Sequence, residues 1–438
     1  MKQPILDFAR GYAASGMARF HTPGHKGKGS LGAEALDITE IRGADALYTA
    51  DGIIGESEAE AAALFGSSRT LYSTEGSSQC VRAMVHLAVT SGRGNRLLCA
   101  RNAHASFIHA CALSGAEAEW LYPGEGTSLC SCPVTPGQVA EALSKGDYAA
   151  VYLTSPDYLG GMQDVPGVAA ACREAGVPLM VDNAHGAYLR FLPGENHPLL
   201  QGADLCCDSA HKTLPALTGA AYLHVSKRAE PLFGERARQA MELHGSTSPS
   251  YLTLCSLDAV NAWLAGPGPG ALEDTARRLR GVREELSRAG WRVLPSDPLR
   301  ITVRAAEGMS GFEMADRLRR FGAECEHADR DHMVCMLTPM NAPEEMSLIP
   351  GALGRAPGAP VEIRLPSVRC ERRMSVREAV FAPWETVPVN EAAGRVAACP
   401  AAACPPAVPA VCPGEVIDDK AVAVMEYYGT DTVHVVKK

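Results

Sequence analysis

The sequence lacks the features of several large classes of protein. It has no run of Lys and Arg, and its net charge of −9 argues against non-specific binding to nucleic acid. No apolar stretch is long enough to span a membrane, and residues 1–16, MKQPILDFARGYAASG, lack the apolar core of a signal peptide. We therefore expect a cytoplasmic protein without a membrane or nucleic-acid partner.

Metal-binding cysteine motifs are also missing. The 15 cysteines are scattered, with Cys206 next to Cys207 and Cys130 close to Cys132, but no pair of CxxC motifs occurs. A zinc site needs ligands at such spacings, so we expect no metal. Because no secretion signal is present, we interpret the cysteines as reduced thiols.

Length and composition indicate a large globular protein. The chain has 438 residues, of which 46% are hydrophobic and 21% are charged, and this length exceeds one usual domain. Between residues 57 and 225, predicted strands alternate with predicted helices, which indicates an α/β domain with a mostly parallel sheet. In such sheets, ligands bind beyond the carboxyl ends of the strands.

Polar side chains follow several of these predicted strands. Residues 75–78, Glu-Gly-Ser-Ser, form a turn before a helix, where N–H groups and hydroxyls favour a phosphate, although a plain N-cap would use the same serines. His104 follows a strand, and although a lone His is more often structural, its ring can stack on a planar cofactor. Asp182 also follows a strand, and a buried acid there needs a cationic partner such as a protonated pyridine nitrogen.

Lys212 is the main candidate for a catalytic residue. The apolar run Leu205–Cys207 leads into DSAHKT, which is typical of a buried strand that exposes polar side chains at its end. A partly buried lysine flanked by His and Thr suits Schiff-base formation, although a surface lysine in a loop would give the same pattern. The coincidence of four groups at one sheet edge favours function. These groups are Ser77 with Ser78, His104, Asp182 and Lys212.

Two further patterns predict ordinary structure. Residues 27–32 match GxGxxG, but no strand precedes them and no clear helix follows, so we reject a dinucleotide site. An acidic cluster in the second half of the chain is expected to be a solvated loop, although acids also suit a guanidinium or ammonium group. Its members are Glu324, Glu326, Asp329 and Asp331.

Eight stretches of sequence carry a resemblance to a known family. They are RFHTPGHKG (19–27), ITE (38–40), LTSPDYLG (153–160), VDNAHGA (181–187), DSAHKTLPALTG (208–219), STSPSYL (246–252), GRVAA (394–398) and CPPAVPAVCPGEVI (404–417). With them the chain resembles the bacterial ornithine/lysine/arginine decarboxylases, which use pyridoxal phosphate (PLP) on the aspartate-aminotransferase-like fold. The size resembles the short form, without an N-terminal receiver-like domain.

The resemblance implies roles for the candidate residues. Lys212 would hold PLP, Asp182 would pair with the pyridinium nitrogen, and His104 would stack on the ring. Lys212 or His211 would return a proton to the substrate carbon. The remaining residues implied to bind the cofactor are Ser77, Ser78, Ala184, Ser209, His211 and Ser248.

The resemblance also implies a partner and leaves the substrate open. Ser248 lies in a loop that resembles one reaching a neighbouring subunit's phosphate, so a homodimer or larger homo-oligomer is expected. Glu40 and Glu415 are candidates for contacting the substrate. Asn183, Tyr188 and Ala407 depart from the residues usual in the family, which leaves the choice among arginine, lysine and ornithine undetermined.

The implied architecture is the fold type I of PLP enzymes, an α/β class. A large domain with a mostly parallel sheet would span residues 56–265, and a smaller α+β C-terminal domain would span residues 271–390. A loop-rich segment, 1–55, would precede them, and residues 391–438 would pack near the active site.

The sequence therefore predicts a PLP-dependent decarboxylase that converts a basic amino acid to CO₂ and a diamine or polyamine. An aminotransferase or another PLP lyase on the same fold stays open, with Arg364 as the residue for the substrate carboxylate. A decarboxylase-like regulator without activity is a second alternative, and it would be expected to lack a cofactor residue.

Overall fold

The computed structural model describes residues 1–400 and 406–437, and its contacts divide the chain into two compact units. Unit 1 contains residues 1–87 and 178–273, and unit 2 contains residues 88–177 and 274–438. Each unit therefore combines two separate stretches of the chain. The domain boundaries implied by the family resemblance remain a prediction.

The described residues form a series of short strands. They are β1 (Arg69–Ser73), β2 (Arg96–Ala100), β3 (Glu117–Leu121), β4 (Ala150–Thr154), β5 (Leu179–Asp182), β6 (Leu205–Asp208), β7 (Ala221–Val225), β8 (Arg300–Arg304), β9 (His327–Ala328), β10 (His332–Met336), β11 (Trp384–Pro388) and β12 (Thr432–Val436).

Helices separate most of these strands. They are α1 (Pro4–Ala14), α2 (Ile53–Phe65), α3 (Ser77–Val89), α4 (Ala105–Ser114), α5 (Pro136–Leu143), α6 (Val165–Glu174), α7 (Ala210–Thr213), α8 (Glu235–Leu243), α9 (Tyr251–Leu264), α10 (Gly268–Arg288), α11 (Gly311–Arg320), α12 (Pro343–Met346), α13 (Leu348–Leu353), α14 (Val376–Phe381) and α15 (Asp419–Tyr427). Short 3₁₀ helices span Ala187–Phe191 and Val389–Glu391, and a π-helix spans Glu230–Gly234. Among the described residues, none of these helices combines the length and apolar character needed to cross a membrane.

Unit 1 is built on four strands in the order β1-β7-β6-β5. Strands β5 and β6 are parallel, with Asp182 opposite Cys207, whereas β7 runs antiparallel to both β6 and β1. Every residue of β5, β6 and β7 is buried, so these strands carry continuous apolar runs rather than alternating ones. Both parallel strands end in an aspartate at the same edge of the sheet.

Unit 2 contains three parallel strands and two small antiparallel sheets. Strand β2 pairs in parallel with β3 and with β4. Strand β10 lies between β8 and β9 in an antiparallel sheet, and β11 pairs with β12. Parallel α/β strands together with small antiparallel sheets are the α/β class with an added α+β part that the sequence predicts.

Helix α2 begins earlier than its sequence suggests. The pattern Ser57 followed by Glu60 predicts an N-cap at Ser57, but the helix starts after Gly52. Ser57 is buried instead, and its hydroxyl donates to Asp258 Oδ1 at 2.6 Å. The predicted cap is therefore wrong, because tertiary burial of the serine outweighs the local capping pattern. Gly66 ends the helix in the left-handed conformation, which is the usual role of glycine at a helix end.

The acidic cluster differs from the solvated loop that was expected. Asp329 and Asp331 are buried, and Asp329 Oδ1 accepts the amides of Asp331 and His332 at 2.7 and 2.6 Å. Glu324 is exposed and lies 2.9 Å from Arg319, and Glu326 accepts the Tyr158 hydroxyl at 2.8 Å. The expectation is wrong for the two aspartates, since they close a tight turn between β9 and β10.

Candidate active site

Lys212 lies in the short helix α7, just beyond the end of β6. Its Nζ is 3.1 Å from Nε2 of His185, and His185 is buried with 6% of its surface exposed. His185 follows β5, so the turns after two neighbouring parallel strands bring these groups together. The lysine is only partly buried, which leaves its amine within reach of a ligand.

Asp182 is the last residue of β5 and is 4% exposed. Its Oδ1 accepts the amide of Ala184 at 3.1 Å and lies 3.5 Å from Sγ of Cys207 on β6. A carboxylate at this depth is costly to ionise unless a positive group faces it. The position predicted from the sequence, at the end of a buried strand, is confirmed.

Serine hydroxyls meet at the start of α3. Ser209 Oγ donates to Ser77 Oγ at 2.9 Å, and Ser78 is the next residue of the helix. The first amides of a helix have no carbonyl partner inside it, and its dipole favours an anion there. The turn that precedes the helix is fixed by Gly76, whose amide donates to the Gly219 carbonyl at 2.7 Å.

His211 lies beside Lys212 and is held by the backbone. Its Nδ1 is 2.9 Å from the carbonyl oxygen of Ala220. Burial lowers the pKa of His211, and the nearby Lys212 charge acts in the same direction although the backbone hydrogen bond opposes it. The ring is therefore neutral near pH 7.

These groups of unit 1 fit pyridoxal phosphate. A lysine amine can hold the aldehyde, a buried carboxylate can face the ring nitrogen, and hydroxyls at a helix start can take the phosphate dianion. Lys212, Asp182, Ser77 and Ser209 supply one group of each required kind, and they belong to the same compact unit. The donor set thus has the chemistry that the cofactor needs.

One cluster at this sheet edge was missed by sequence reasoning. Asp208 ends β6 and is completely buried between the side chains of His197, His224 and Asn183. The aspartate was visible in the DSAHKT stretch. No spacing signal connects it with two histidines that lie 11 residues before and 16 residues after it.

Two candidates belong to unit 2. His104 is the N-cap of α4, where its Nδ1 accepts the Ser106 amide at 3.1 Å. Glu415 is 3% exposed, accepts the Cys412 amide at 2.7 Å and lies 3.4 Å from the guanidinium of Arg101. Both side chains have structural contacts, and their roles toward cofactor and substrate remain predictions.

The remaining candidates differ in exposure. Ala184 is buried beside Asp182, whereas Ser248 and Glu40 are exposed. The Ser248 amide donates to Ser246 Oγ at 3.1 Å, and Glu40 accepts the Thr39 hydroxyl at 2.5 Å. The described cysteines form no disulfide. Cys404 lies outside the described residues.

Family comparisons match two parts of the chain. Residues 3–306 match the sequence model of the Orn/Lys/Arg decarboxylase major domain, and residues 361–432 match that of the Orn/Lys/Arg decarboxylase C-terminal domain. The first match alone covers more than half of the chain, and it includes the candidate residues of unit 1.

Curated relatives agree with the family match. An arginine decarboxylase of Bacillus subtilis is 28% identical over 454 residues, which cover 95% of this chain and 91% of the relative. The uncharacterized protein YaaO of the same organism is 31% identical and covers 77% of this chain and 74% of its own length. Lysine decarboxylase LdcA of Pseudomonas aeruginosa is 26% identical over 62% of this chain and 42% of the relative.

Solved structures show the same fold at low sequence identity. The constitutive lysine decarboxylase of Escherichia coli has a TM-score of 0.80 and 17% identity, with 100% of this chain and 82% of that chain covered. An alanine–glyoxylate aminotransferase of Nostoc has a TM-score of 0.56 and 19% identity, with 68% and 85% covered. These neighbours have the fold type I of PLP enzymes, so the predicted fold class is confirmed.

Proposed function

Because this chain belongs to the Orn/Lys/Arg decarboxylase family, we propose that it is a PLP-dependent decarboxylase of arginine, lysine or ornithine. The observation that carries the proposal is the contact between Lys212 Nζ and His185 Nε2, 3.1 Å, beyond the ends of two parallel strands. Arginine is the first substrate to test, since two relatives that align over 95% and 96% of this chain and 91% and 92% of their own are named arginine decarboxylases.

Bound PLP would supply an electron sink for the electrons that remain when CO₂ leaves. Lys212 would attach the cofactor through Nζ, and the buried carboxylate of Asp182 would stabilise a positive charge on the ring nitrogen. Ser77, Ser78 and Ser209 would hold the phosphate at the start of α3. His104 would stack on the ring.

Proton transfer would fall to the groups around Lys212. Its Nζ can pass a proton to the substrate carbon once the amine is displaced, and Nε2 of His185 lies within hydrogen-bond distance of that amine. His211 is the second candidate for the proton donor, although its pKa, lowered by burial, leaves little of the ring protonated at neutral pH.

In this proposal the active unit is a cytoplasmic homodimer or larger homo-oligomer whose product feeds polyamine biosynthesis. Ser248 would contact the phosphate in the neighbouring subunit. Its exposure in the single chain supports this, because a residue that acts on a partner must be accessible before assembly.

The two alternative functions, an aminotransferase and an inactive regulator, have less support. An aminotransferase would use an arginine for the substrate carboxylate, but the Arg364 side chain is 85% exposed and lies 3.3 Å from Glu362. An inactive regulator would have lost a cofactor residue, and Lys212, Asp182 and Ser77 are all present.

The test is a substrate screen on purified protein with added PLP. CO₂ release and amine product are measured for arginine, lysine, ornithine and alanine. We expect release from one basic amino acid, loss of at least a thousandfold in Lys212→Ala, and no change in Lys227→Ala, which alters an exposed lysine of the same unit. A PLP absorbance band that depends on Lys212, without CO₂ from any amino acid, would instead indicate transamination or another lyase reaction.

A further inference from the structure

Asp208 is the centre of a buried polar cluster behind the candidate active site. Its Oδ2 lies 2.9 Å from Nε2 of His197 and 3.2 Å from Nε2 of His224, and its Oδ1 accepts the Asn183 side-chain amide at 2.6 Å. All four residues are completely buried. We define them as the Asp208 cluster.

The hydrogen bonds of the cluster suit histidines that carry a proton on Nε2. Nδ1 of His197 accepts the Leu199 amide at 3.3 Å, so its Nε2 is the atom that donates to Asp208. Nδ1 of His224 lies 2.8 Å from Oγ1 of Thr70, so the same tautomer fits there. Both rings can therefore donate Nε2–H to the carboxylate.

The carboxylate in this cluster is ionised. Burial opposes ionisation, but the two histidines hold the pKa of Asp208 well below its usual range. Burial also lowers the pKa of His224, which favours its neutral form. The cluster thus keeps a negative charge in the interior of unit 1, at the end of the strand that leads to Lys212.

The side chains of His197, Asp208 and His224 are also close enough to one another to hold a metal ion. The contacts of these side chains indicate a hydrogen-bonded cluster instead. Each histidine directs Nε2 at the carboxylate and engages Nδ1 elsewhere, and Asn183 occupies the second carboxylate oxygen. A metal ion would have to break these bonds.

Asp208 joins the two segments that carry the cofactor residues. Asp208 accepts a hydrogen bond from the side chain of Asn183, the residue that follows Asp182. The backbone amide of Asn183 donates to the Cys207 carbonyl at 3.0 Å. On its own strand it precedes Ser209 and Lys212. The Asn183 side chain also packs on Gly186, where an added Cβ would lie 2.0 Å from Asn183 Oδ1.

We propose that Asp208 is a positioning residue, which fixes Asp182 through Asn183 and fixes the Ser209–Lys212 turn through β6. Its charge also lies on the same buried sheet edge as Asp182, where it favours a positive charge on a ligand. This inference rests on the proposed function only in taking PLP as the cofactor. It concerns cofactor binding and not the reaction that follows.

The test compares Asp208→Asn with a matched variant. Asparagine keeps the shape but presents an NH₂ group to neighbours that are all donors, so the cluster must rearrange. We expect PLP to bind at least tenfold more weakly, with a shift of the absorbance band of lysine-bound PLP. Both are measured by titration of the protein with PLP in the absence of any amino acid.

Asp204→Asn is the matched control. Asp204 is buried directly before the other end of β6, where it accepts the Leu179 amide at 2.9 Å and lies 2.5 Å from Arg228. We expect it to lower the thermal midpoint while PLP affinity and the absorbance band stay unchanged. A purely structural role of Asp208 would make the two variants alike.

A second variant covers the case in which Asp208→Asn does not fold. Asn183→Ala removes only the link to the Asp182 segment and leaves both histidines on Asp208. We expect weaker PLP binding with the band shifted in the same direction. Unchanged affinity and band in the folded variants, or equal changes in Asp204→Asn, would overturn the proposal. Failure of decarboxylation by wild-type protein that binds PLP would overturn the proposed function alone.

Discussion

Gly219 lies at a position where the site has no room for a side chain. Its φ is +94°, and an added Cβ would lie 2.5 Å from the Thr74 carbonyl oxygen in the turn before α3. The Gly219 carbonyl also accepts the Gly76 amide. We expect Gly219→Ala to lower the free energy of unfolding by about 3 kcal/mol and to weaken PLP binding, because the turn must move. Denaturant unfolding and PLP titration measure the two effects.

The control for Gly219 is Gly92→Ala. Gly92 has a similar φ of +83° but nothing within 4 Å of an added Cβ. This variant carries the backbone strain without the clash, so a loss of only about 1 kcal/mol is expected. Equal losses at the two glycines would show that the close approach to Thr74 contributes nothing.

The buried carboxyl group of Asp258 should make the stability of unit 1 depend on pH. Its Oδ2 accepts the amides of Ile5 and Leu6, both at 3.0 Å, and burial nevertheless raises its pKa to about 6. Between the unfolded value near 3.8 and about 6, the folded state holds a proton that the unfolded state has lost. This group therefore adds stability as the pH falls through 6 and loses it as the pH rises.

The Asp258→Asn variant isolates that contribution. It cannot gain stability by protonation, so the stability difference between wild type and variant should be about 2 kcal/mol larger at pH 4.5 than at pH 7. Denaturant unfolding at the two pH values gives this difference. A difference that shrinks at low pH would mean that the three hydrogen bonds keep the carboxylate ionised.

Sequence patterns located some site residues because strand ends are local features. Lys212 and Asp182 each follow an unbroken apolar run, so their place at the sheet edge could be predicted. The bonds of Asp208 to His197 and His224, and of Asp258 to the first turn of α1, join residues far apart in sequence. No periodicity reports such pairs, so they emerge only from the fold.

At the scale of elements, the Arg101–Glu415 pair anchors the C-terminal segment to the end of β2. Arg101 donates to the carbonyls of Pro409 and Ala410 at 2.9 and 2.8 Å and lies 3.4 Å from Glu415. We expect Glu415→Gln to cost about 3 kcal/mol of unfolding free energy, because a buried guanidinium loses its counter-charge. Denaturant unfolding measures this cost.

The same variant separates the two roles considered for Glu415. If the carboxylate contacted the substrate, KM would rise while the free energy of unfolding stayed the same. Glu141→Gln is the control, since it breaks an exposed pair between Glu141 on α5 and Lys145 and should leave the free energy of unfolding nearly unchanged. A stable Glu415→Gln enzyme with a raised KM would contradict the anchoring role.

Element boundaries show where local patterns stop being informative. Strand β6 follows the predicted apolar run Leu205–Cys207 closely. In contrast, the GPGPG stretch at residues 266–270, whose composition favours a break, contains the start of α10 at Gly268. Helix α1 occupies residues within the segment predicted to be rich in loops, and its N-terminal amides are held by Asp258. For α1, these tertiary hydrogen bonds are not visible in the local sequence pattern.

At the scale of the whole molecule, the proposed contribution of Ser248 to a neighbouring subunit's site can be tested by mixing two inactive variants. Lys212→Ala removes the residue that would hold PLP, and Ser248→Asp places a negative charge where the partner's phosphate would lie. Each variant alone should be inactive. If Ser248 acts in the neighbouring subunit, a mixed dimer contains one site with Lys212 and Ser248 both intact.

Random reassociation of equal amounts makes roughly half of the dimers mixed, with one intact site in each, so about one quarter of wild-type activity should return. If Ser248 served its own subunit, every site in the mixture would carry a defect and no activity would return. The control mixes Lys212→Ala with Asp182→Ala. Lys212 and Asp182 each serve the site of their own subunit, so every site in that mixture carries one defect. The mixture must therefore stay inactive whichever way Ser248 acts. Recovery in the first mixture alone would show that the site is completed by a second copy of the chain.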